Sequence, residues 1–227
     1  PAPWQATDIG SVGVPGYSIA TNRIYEVRGS GDDIWNQADA FQFVYLPMTG
    51  DGAVIAQVIS QQNTDPWAKA GVMLRETLAA NSKNAASFMS RNNGTQFARR
   101  TTTGGPAVAN TPSDSSTSPR PRWLKLERIG NLLTAYKSLS SGPSNWVAIG
   151  TDVIPMAQTV YAGIAVCAHK NTQLNLTTLA NPQIIPITAP ASPGLRAEIF
   201  GDENLTTLRL AQTNPCVNYS WGSAAPY

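Results

Sequence analysis

A single histidine, His169, stands among 227 residues. One imidazole excludes a multi-histidine metal centre. A Ser-His-Asp arrangement stays formally open, but no G-x-S-x-G elbow accompanies it. The acids Asp32, Asp33, Asp39, Asp51, Asp65 and Glu76 are the candidates for the paired-carboxylate chemistry of glycoside hydrolysis. Most lie beside glycines or in turns, and none forms an E-x-D-x-x-E-like set along a strand. They read as turn and cap acids. Asp8, Asp32, Asp33, Asp39 and Asp51 offer oxygen ligands for one structural calcium, although no D-x-[DN]-x-[DN]-G loop is present. The expectation is a protein without a catalytic constellation and without a cofactor, that one calcium aside.

Sugar recognition needs exposed aromatic platforms and planar polar groups. The tryptophans are Trp4, Trp35, Trp67, Trp123, Trp146 and Trp221. In a sandwich such rings more often fill the core. Strand parity adds a direction. Along 67–75, Trp67, Lys69, Met73 and Arg75 share one face, and Ala70, Val72 and Leu74 share the other. The second face reads as core, and the first could line a groove with Trp35, Arg99 or Arg100, and His169. Tyr161, Gly163, Ala165, Cys167 and His169 form a matching face. The alternative is a solvated face or a packed interface, because alternation gives a face and not its partner.

Cys167 and Cys216 fit no zinc spacing and no CxxC pair. One disulfide between them, or two unpaired thiols with one buried, are both open. Asn93, Asn175, Asn204 and Asn218 each begin an N-x-S/T sequon. Asn93, at an expected turn tip, is the best glycan acceptor.

The elements that must carry these groups are strands. Period-two segments run over 24–28, 40–46, 54–60, 68–76, 85–90, 96–101, 122–129, 132–139, 146–150, 160–169 and 173–178. Asn92-Asn93-Gly94 and Gly130-Asn131 are hairpin turns. No segment has sustained helical periodicity, though 78–82 has room for one turn. Many short strands with Gly, Asn and Pro turns mean an all-β sandwich or barrel. The stretch 101–121 reads as a mobile Ser/Thr/Pro/Gly loop. Residues 186–193 read as a Pro-rich linker between a large part, 1–185, and a tail, 194–227.

Charged residues make up 13% of the chain, about half the usual share of roughly 25%. That composition suits an extracellular or cell-surface β protein. Sixteen basic and 14 acidic residues give a net charge of +2, which makes no electrostatic case for nucleic acid or an anionic membrane. No apolar run approaches the roughly 20 residues of a membrane span. The opening Pro1-Ala2-Pro3, without Met, reads as a processed or cut chain.

The run GSGDDIWNQADAFQFVYLPMTGDGAVIAQVISQQNTDPWAKAGVMLRE, Gly29 to Glu76, resembles the concanavalin-like β-sandwich module of bacterial extracellular multidomain proteins, similar to the DUF1349 group. VYAGIAVCAHKNTQLNLTTL matches the closing strands of that module, so the resemblance spans about residues 4–185. It implies a jelly-roll of two packed sheets and no agreed activity. Two departures stand out. Cys167 replaces a small hydroxyl residue, which adds weight to a covalent tie with Cys216. Ala180-Asn181-Pro182 replaces Phe-Asp-Asn before the last strand.

The tail, with Gly194-Leu195-Arg196, Phe200 and Val217-Asn218-Tyr219-Ser220-Trp221-Gly222, resembles the opening of a PA14 domain. The resemblance implies a β-rich segment from a family that often binds glycans or mediates assembly. The family's binding loops are missing, so no binding residue carries over. A few strands cannot bury a core alone. The tail must dock on the sandwich, pair with another chain by strand addition, or belong to a longer protein. Two functions are therefore expected: a non-catalytic module that binds glycan or mediates adhesion, or a structural subunit of a filament or surface layer joined through its C-terminal strands to other copies.

Overall fold

The computed structural model describes residues 4–111, 122–187, 195–200 and 208–214, the last two ranges as backbone strands. Every regular element described is a strand. In chain order they are β1 (Gln5–Ile9), β2 (Tyr17–Thr21), β3 (Ile24–Gly31), β4 (Ile34–Trp35), β5 (Ala38–Asp39), β6 (Phe41–Thr49), β7 (Gly52–Gln61), β8 (Lys69–Arg75) and β9 (Asn84–Ser90). They continue as β10 (Gly94–Arg100), β11 (Val108–Ala109), β12 (Arg122–Ile129), β13 (Leu132–Ser138), β14 (Val147–Val153), β15 (Thr159–Cys167), β16 (Lys170–Pro186), β17 (Leu195–Phe200) and β18 (Leu208–Asn214).

The chain forms two compact units, 1–187 and 188–227. In the second, β17 and β18 pair antiparallel. The expected joint between subunits, and Cys216, fall on residues outside the described side chains. The first unit is a jelly-roll β-sandwich of two antiparallel sheets. The first sheet runs β1-β6-β15-β8-β9-β10-β11, and the second runs β14-β13-β12-β7-β16-β3-β2.

Alternation along these strands builds two apolar layers. Val44, Val72, Leu74, Phe97, Ile164 and Val166 of the first sheet meet Val54, Val58, Leu124, Leu126 and Leu133 of the second. The opposite face of the first sheet is also buried. Phe41, Phe43, Tyr45, Met73, Phe88 and Ala165 form a second cluster there, closed by Ile34 and Leu78. Its rings stack, with Phe43 and Tyr45 5.2 Å apart and Tyr161 edge-on to Tyr45 at 5.3 Å. Each buried phenyl contributes about 1.5–3 kcal/mol.

What covers that outer cluster is held by a buried ionic knot. Asp39, Arg75 and Arg100 have fully buried side chains. Arg100 grips Asp39 with two parallel bonds, Nη2 to Oδ1 at 2.6 Å and Nη1 to Oδ2 at 2.9 Å, a geometry only the guanidinium fork supplies. Arg75 Nη1 donates to Asp39 Oδ2 at 3.3 Å and Asn84 Nδ2 adds a bond at 3.1 Å. The remaining guanidinium protons go to loop carbonyls. Arg75 donates to Thr77 and Ala79, and Arg100 donates to Trp35, Asn36, Ser82 and Gly105. Burial pushes the Arg75 guanidinium down to about 10 against the pull of Asp39, with Arg100 adding to the fall. Arg75 is thus a structural cation and does not line a groove. Parity set its face correctly, but that face is roofed.

Two further expectations change. Residues 101–111 are not a free loop: Gly104 N–H donates to Asn81 O, and Ala107 N–H donates to Asn36 O at 2.7 Å. The final strand runs on to Pro186. Its register shifts between Ala180 and Gln183, where Asn181 turns at φ +50 and Pro182, lacking an N–H, sits in the bulge.

Removing Asp39 leaves two buried cations unpaired. Asp39→Ala should lower unfolding stability by about 3–5 kcal/mol in urea titration. Glu26→Ala, which breaks the exposed pair with Arg28, should cost under about 0.5 kcal/mol. Equal losses for the two would contradict this account of the knot.

Candidate functional site

At one end of the first sheet, a cleft of about 470 Å³ opens between two indoles. Trp35 and Trp67 flank it, with Asp33, Lys69, Gln96, Asn110, Thr111 and His169 supplying polar groups. Lys69 and Gln96 belong to β8 and β10, while the others stand on the connections or the short hairpin that cap this sheet.

Local chemistry fixes each wall. Asp65 Oδ1 accepts the Trp67 N–H at 2.8 Å, and Asp65 O accepts the Ala68 N–H at 3.1 Å. That side-chain turn, with Pro66 at its second position, presents Trp67 with 40% of its surface exposed. Asn93 Nδ2 donates to Pro66 O at 2.7 Å, bracing the turn from the β9–β10 connection. Trp35 rides on the β4–β5 hairpin that Arg100 ties down. His169 turns the chain between β15 and β16 at φ +54, a strained conformation for a non-glycine residue of order 1–3 kcal/mol.

The floor is a charged relay. Lys69 Nζ donates to Asp33 Oδ1 at 2.5 Å. His169 Nε2 lies 3.2 Å from Asp33 Oδ2, and its Nδ1 lies 3.0 Å from Asp65 Oδ1. A neutral imidazole has one N–H, so only the doubly protonated ring donates to both carboxylates. Behind the cleft, Arg99 donates to Asp152 at 2.8 Å and to Asn110 Oδ1 at 2.7 Å. Asn110 Nδ2 then reaches Ile149 O, so Asn110 is locked in one orientation. Cys167 lies buried beneath. Its Sγ meets Gly31 O and the His169 N–H, both at 3.4 Å.

The structure therefore brings Trp35, Trp67, Lys69 and His169 together, sets Arg99 behind them as a brace, and takes Arg75 away. Asp33 and Asp65 read in the sequence as turn acids. They are turn acids that also hold His169. Gln96 and Asn110 carried no signal in the sequence beyond the parity of β10. Of the proposed calcium ligands, Asp8 accepts from the Gly16 N–H, Asp51 accepts from the Gly130 N–H, and Asp39 belongs to the knot. Among the described residues, no group of three or more His, Cys, Asp or Glu side chains is placed to hold a metal. Asn93 has its amide committed to Pro66, and the sequon residue Asn175 is fully buried. Cys167 is a buried free thiol, and its expected partner Cys216 lies outside the described residues.

No family model and no curated protein matches the chain, so neither the DUF1349-like nor the PA14-like assignment has support of that kind. Solved structures share the fold. A functionally unknown protein from Saccharomyces cerevisiae superposes with a TM-score of 0.61 at 14% identity, over 82% of this chain and 97% of that one. The carbohydrate-binding module CBM66 from Bacillus subtilis superposes with a TM-score of 0.51 at 13% identity, over 79% and 94%. The GH43 protein BlXynB from Bacillus licheniformis gives 0.51 at 11% identity, over 75% of this chain and 38% of that one. At such identities the likeness shows a concanavalin-like sandwich and nothing finer.

Burial pushes the Cys167 thiol from 9.0 up to about 12, with the His169 N–H working against that rise. The folded chain keeps this proton where the unfolded chain has lost it. Alkali above about pH 9 therefore drains stability until the folded thiol itself ionises. Iodoacetamide at pH 8.5 should leave Cys167 unlabelled in the native protein and label it fully in urea, read by peptide mass mapping. Native labelling at the unfolded rate would show that the thiol is not buried as described.

Proposed function

We propose that the chain is a non-catalytic glycan-binding module that takes a sugar between Trp35 and Trp67 and serves a secreted or surface-displayed protein. The observation that carries this reading is the cleft itself: two indole walls around a polar floor, open at the end of a rigid sheet. Sugars present apolar C–H faces and equatorial hydroxyls. Indole rings suit the first. The Thr111 hydroxyl, the Gln96 amide and the paired Asp33 and Lys69 suit the second. Such a mix of apolar walls and few fixed polar groups is the ordinary form of a small-molecule site.

The carboxylates support binding over catalysis. Glycoside hydrolysis needs one acid to hand its proton to the leaving oxygen and a second to attack or activate water. Here Asp33 accepts from Lys69 and from the Ile34 N–H, and Asp65 accepts from the Trp67 N–H, with the two His169 ring nitrogens 3.2 Å and 3.0 Å from these carboxylates. Both are committed as acceptors. The low charge of the chain fits an extracellular setting, and no described helix is long and apolar enough to cross a membrane. The fold shared with a carbohydrate-binding module adds analogy only.

A printed array of plant, fungal and bacterial polysaccharides, followed by calorimetry on the best binder, tests the reading. Trp35→Ala and Trp67→Ala should each weaken binding about tenfold or more, equivalent to ~1.4 kcal/mol. Tyr17→Ala, at the far edge of the second sheet, should leave it unchanged. Binding that survives loss of both indoles would sink the assignment of this cleft.

A further inference from the structure

A second hollow, of about 270 Å³, adjoins the cleft and shares Asp33 and Trp35 with it. Its other walls include Gly10, Ser11, Asp32, Asn36 and Ala80. Trp35 therefore lines both compartments. In the second, Ser11, Asp32 and Asn36 are exposed, and their side chains have no hydrogen-bond partner among the described residues. A hydroxyl, a carboxylate and an amide in one hollow match the donors and acceptors of sugar hydroxyls.

The hollow is also preformed. Arg100 fixes the Trp35 and Asn36 carbonyls, and Asp39 N–H donates to Ala80 O at 2.9 Å. Gly10 turns at φ +69 so close to Asp39 that a Cβ there would lie 2.0 Å from the Asp39 carbonyl. A floor held this way loses little entropy on binding. The ionisable groups lining the hollow are all acids, and Asp32 is the exposed one.

Building on the reading of the cleft as a glycan site, we infer that cleft and hollow form one groove for a neutral, linear oligosaccharide, gripped along its length with one unit on each side of Trp35. A site for a chain end would need only the first compartment. The exposed carboxylate of Asp32 disfavours uronic or sulfated chains, since like charges at close range repel.

Calorimetry of the 227-residue chain with ladders of neutral gluco-, xylo-, manno- and fructo-oligosaccharides, from monomer to hexamer, tests this. Affinity for the bound ladder should rise by about tenfold or more between monomer and trimer and then level off. Ser11→Tyr, which fills the hollow, should abolish that rise while leaving monomer affinity within about twofold. Asp32→Ala, which removes a group with no partner, should reduce the rise without disturbing the fold. Monomer and trimer bound equally, with binding still lost in Trp67→Ala, would overturn the two-compartment groove and leave the glycan site standing. Tighter binding of uronic or sulfated ladders would overturn the neutral class. No binding to any ladder or polysaccharide would overturn both readings.

Discussion

The site depends on burying one carboxylate between two guanidinium groups. Asp39, Arg75 and Arg100 lie under the outer face of the first sheet with no exposed side-chain surface. Charges in that position are costly unless every lone pair and proton finds a partner. The partners are the carbonyls of three separate connections, 35–36, 77–82 and 105. The requirement to satisfy these charges fixes the loops. It converts what would be an open β face into a roofed second core, and it sets the height and tilt of the β4–β5 hairpin. Trp35 stands on that hairpin. The aromatic wall of the cleft is thus positioned by that network.

A second polar network does the same for the opposite wall. Asp33 and Asp65 bracket His169, and Asp65 simultaneously makes the turn that presents Trp67. Lys69 closes the set from below. Asp33 accepts from Lys69 and the Ile34 N–H, and Asp65 accepts from the Trp67 N–H, so the cleft is stiff before any ligand arrives. Stiffness favours recognition, because side chains already ordered contribute no further entropy loss on binding. Asp33 and Asp65, the two acids of the cleft, are held as hydrogen-bond acceptors.

Most of the sandwich was legible in the chain, because buried strands must alternate and turns must use Gly, Asn and Pro. The edge strands Gln5–Ile9 and Tyr17–Thr21 were not, since QATDI and YSIAT carry too little apolar pattern to stand out. The long last strand was cut short on paper by Asn181-Pro182, which the fold absorbs as a bulge. For the site, parity put Trp67 and Lys69 on one face of β8 and His169 in line with the β15 face. It put Arg75 there too, because alternation reports a face and not what covers it. The fork between Arg100 and Asp39 spans 61 positions, and no local pattern encodes such a pairing. Asp33 and Asp65 were visible as turn acids. Their joint hold on His169 requires β3, the β7–β8 connection and β15 to meet, which only the assembled sheets bring about.

The central claim is that ligand sits between Trp35 and Trp67. The most direct measurement is an indole N–H spectrum of the uniformly ¹⁵N-labelled chain, titrated with a neutral oligosaccharide mixture. Six tryptophans give six resolvable indole signals. The account predicts that the Trp35 and Trp67 signals move together and saturably while those of Trp4, Trp123 and Trp146 stay in place. Saturable shifts at Trp123, on the second sheet, or at Trp146, just before β14, with Trp35 and Trp67 unmoved would contradict it.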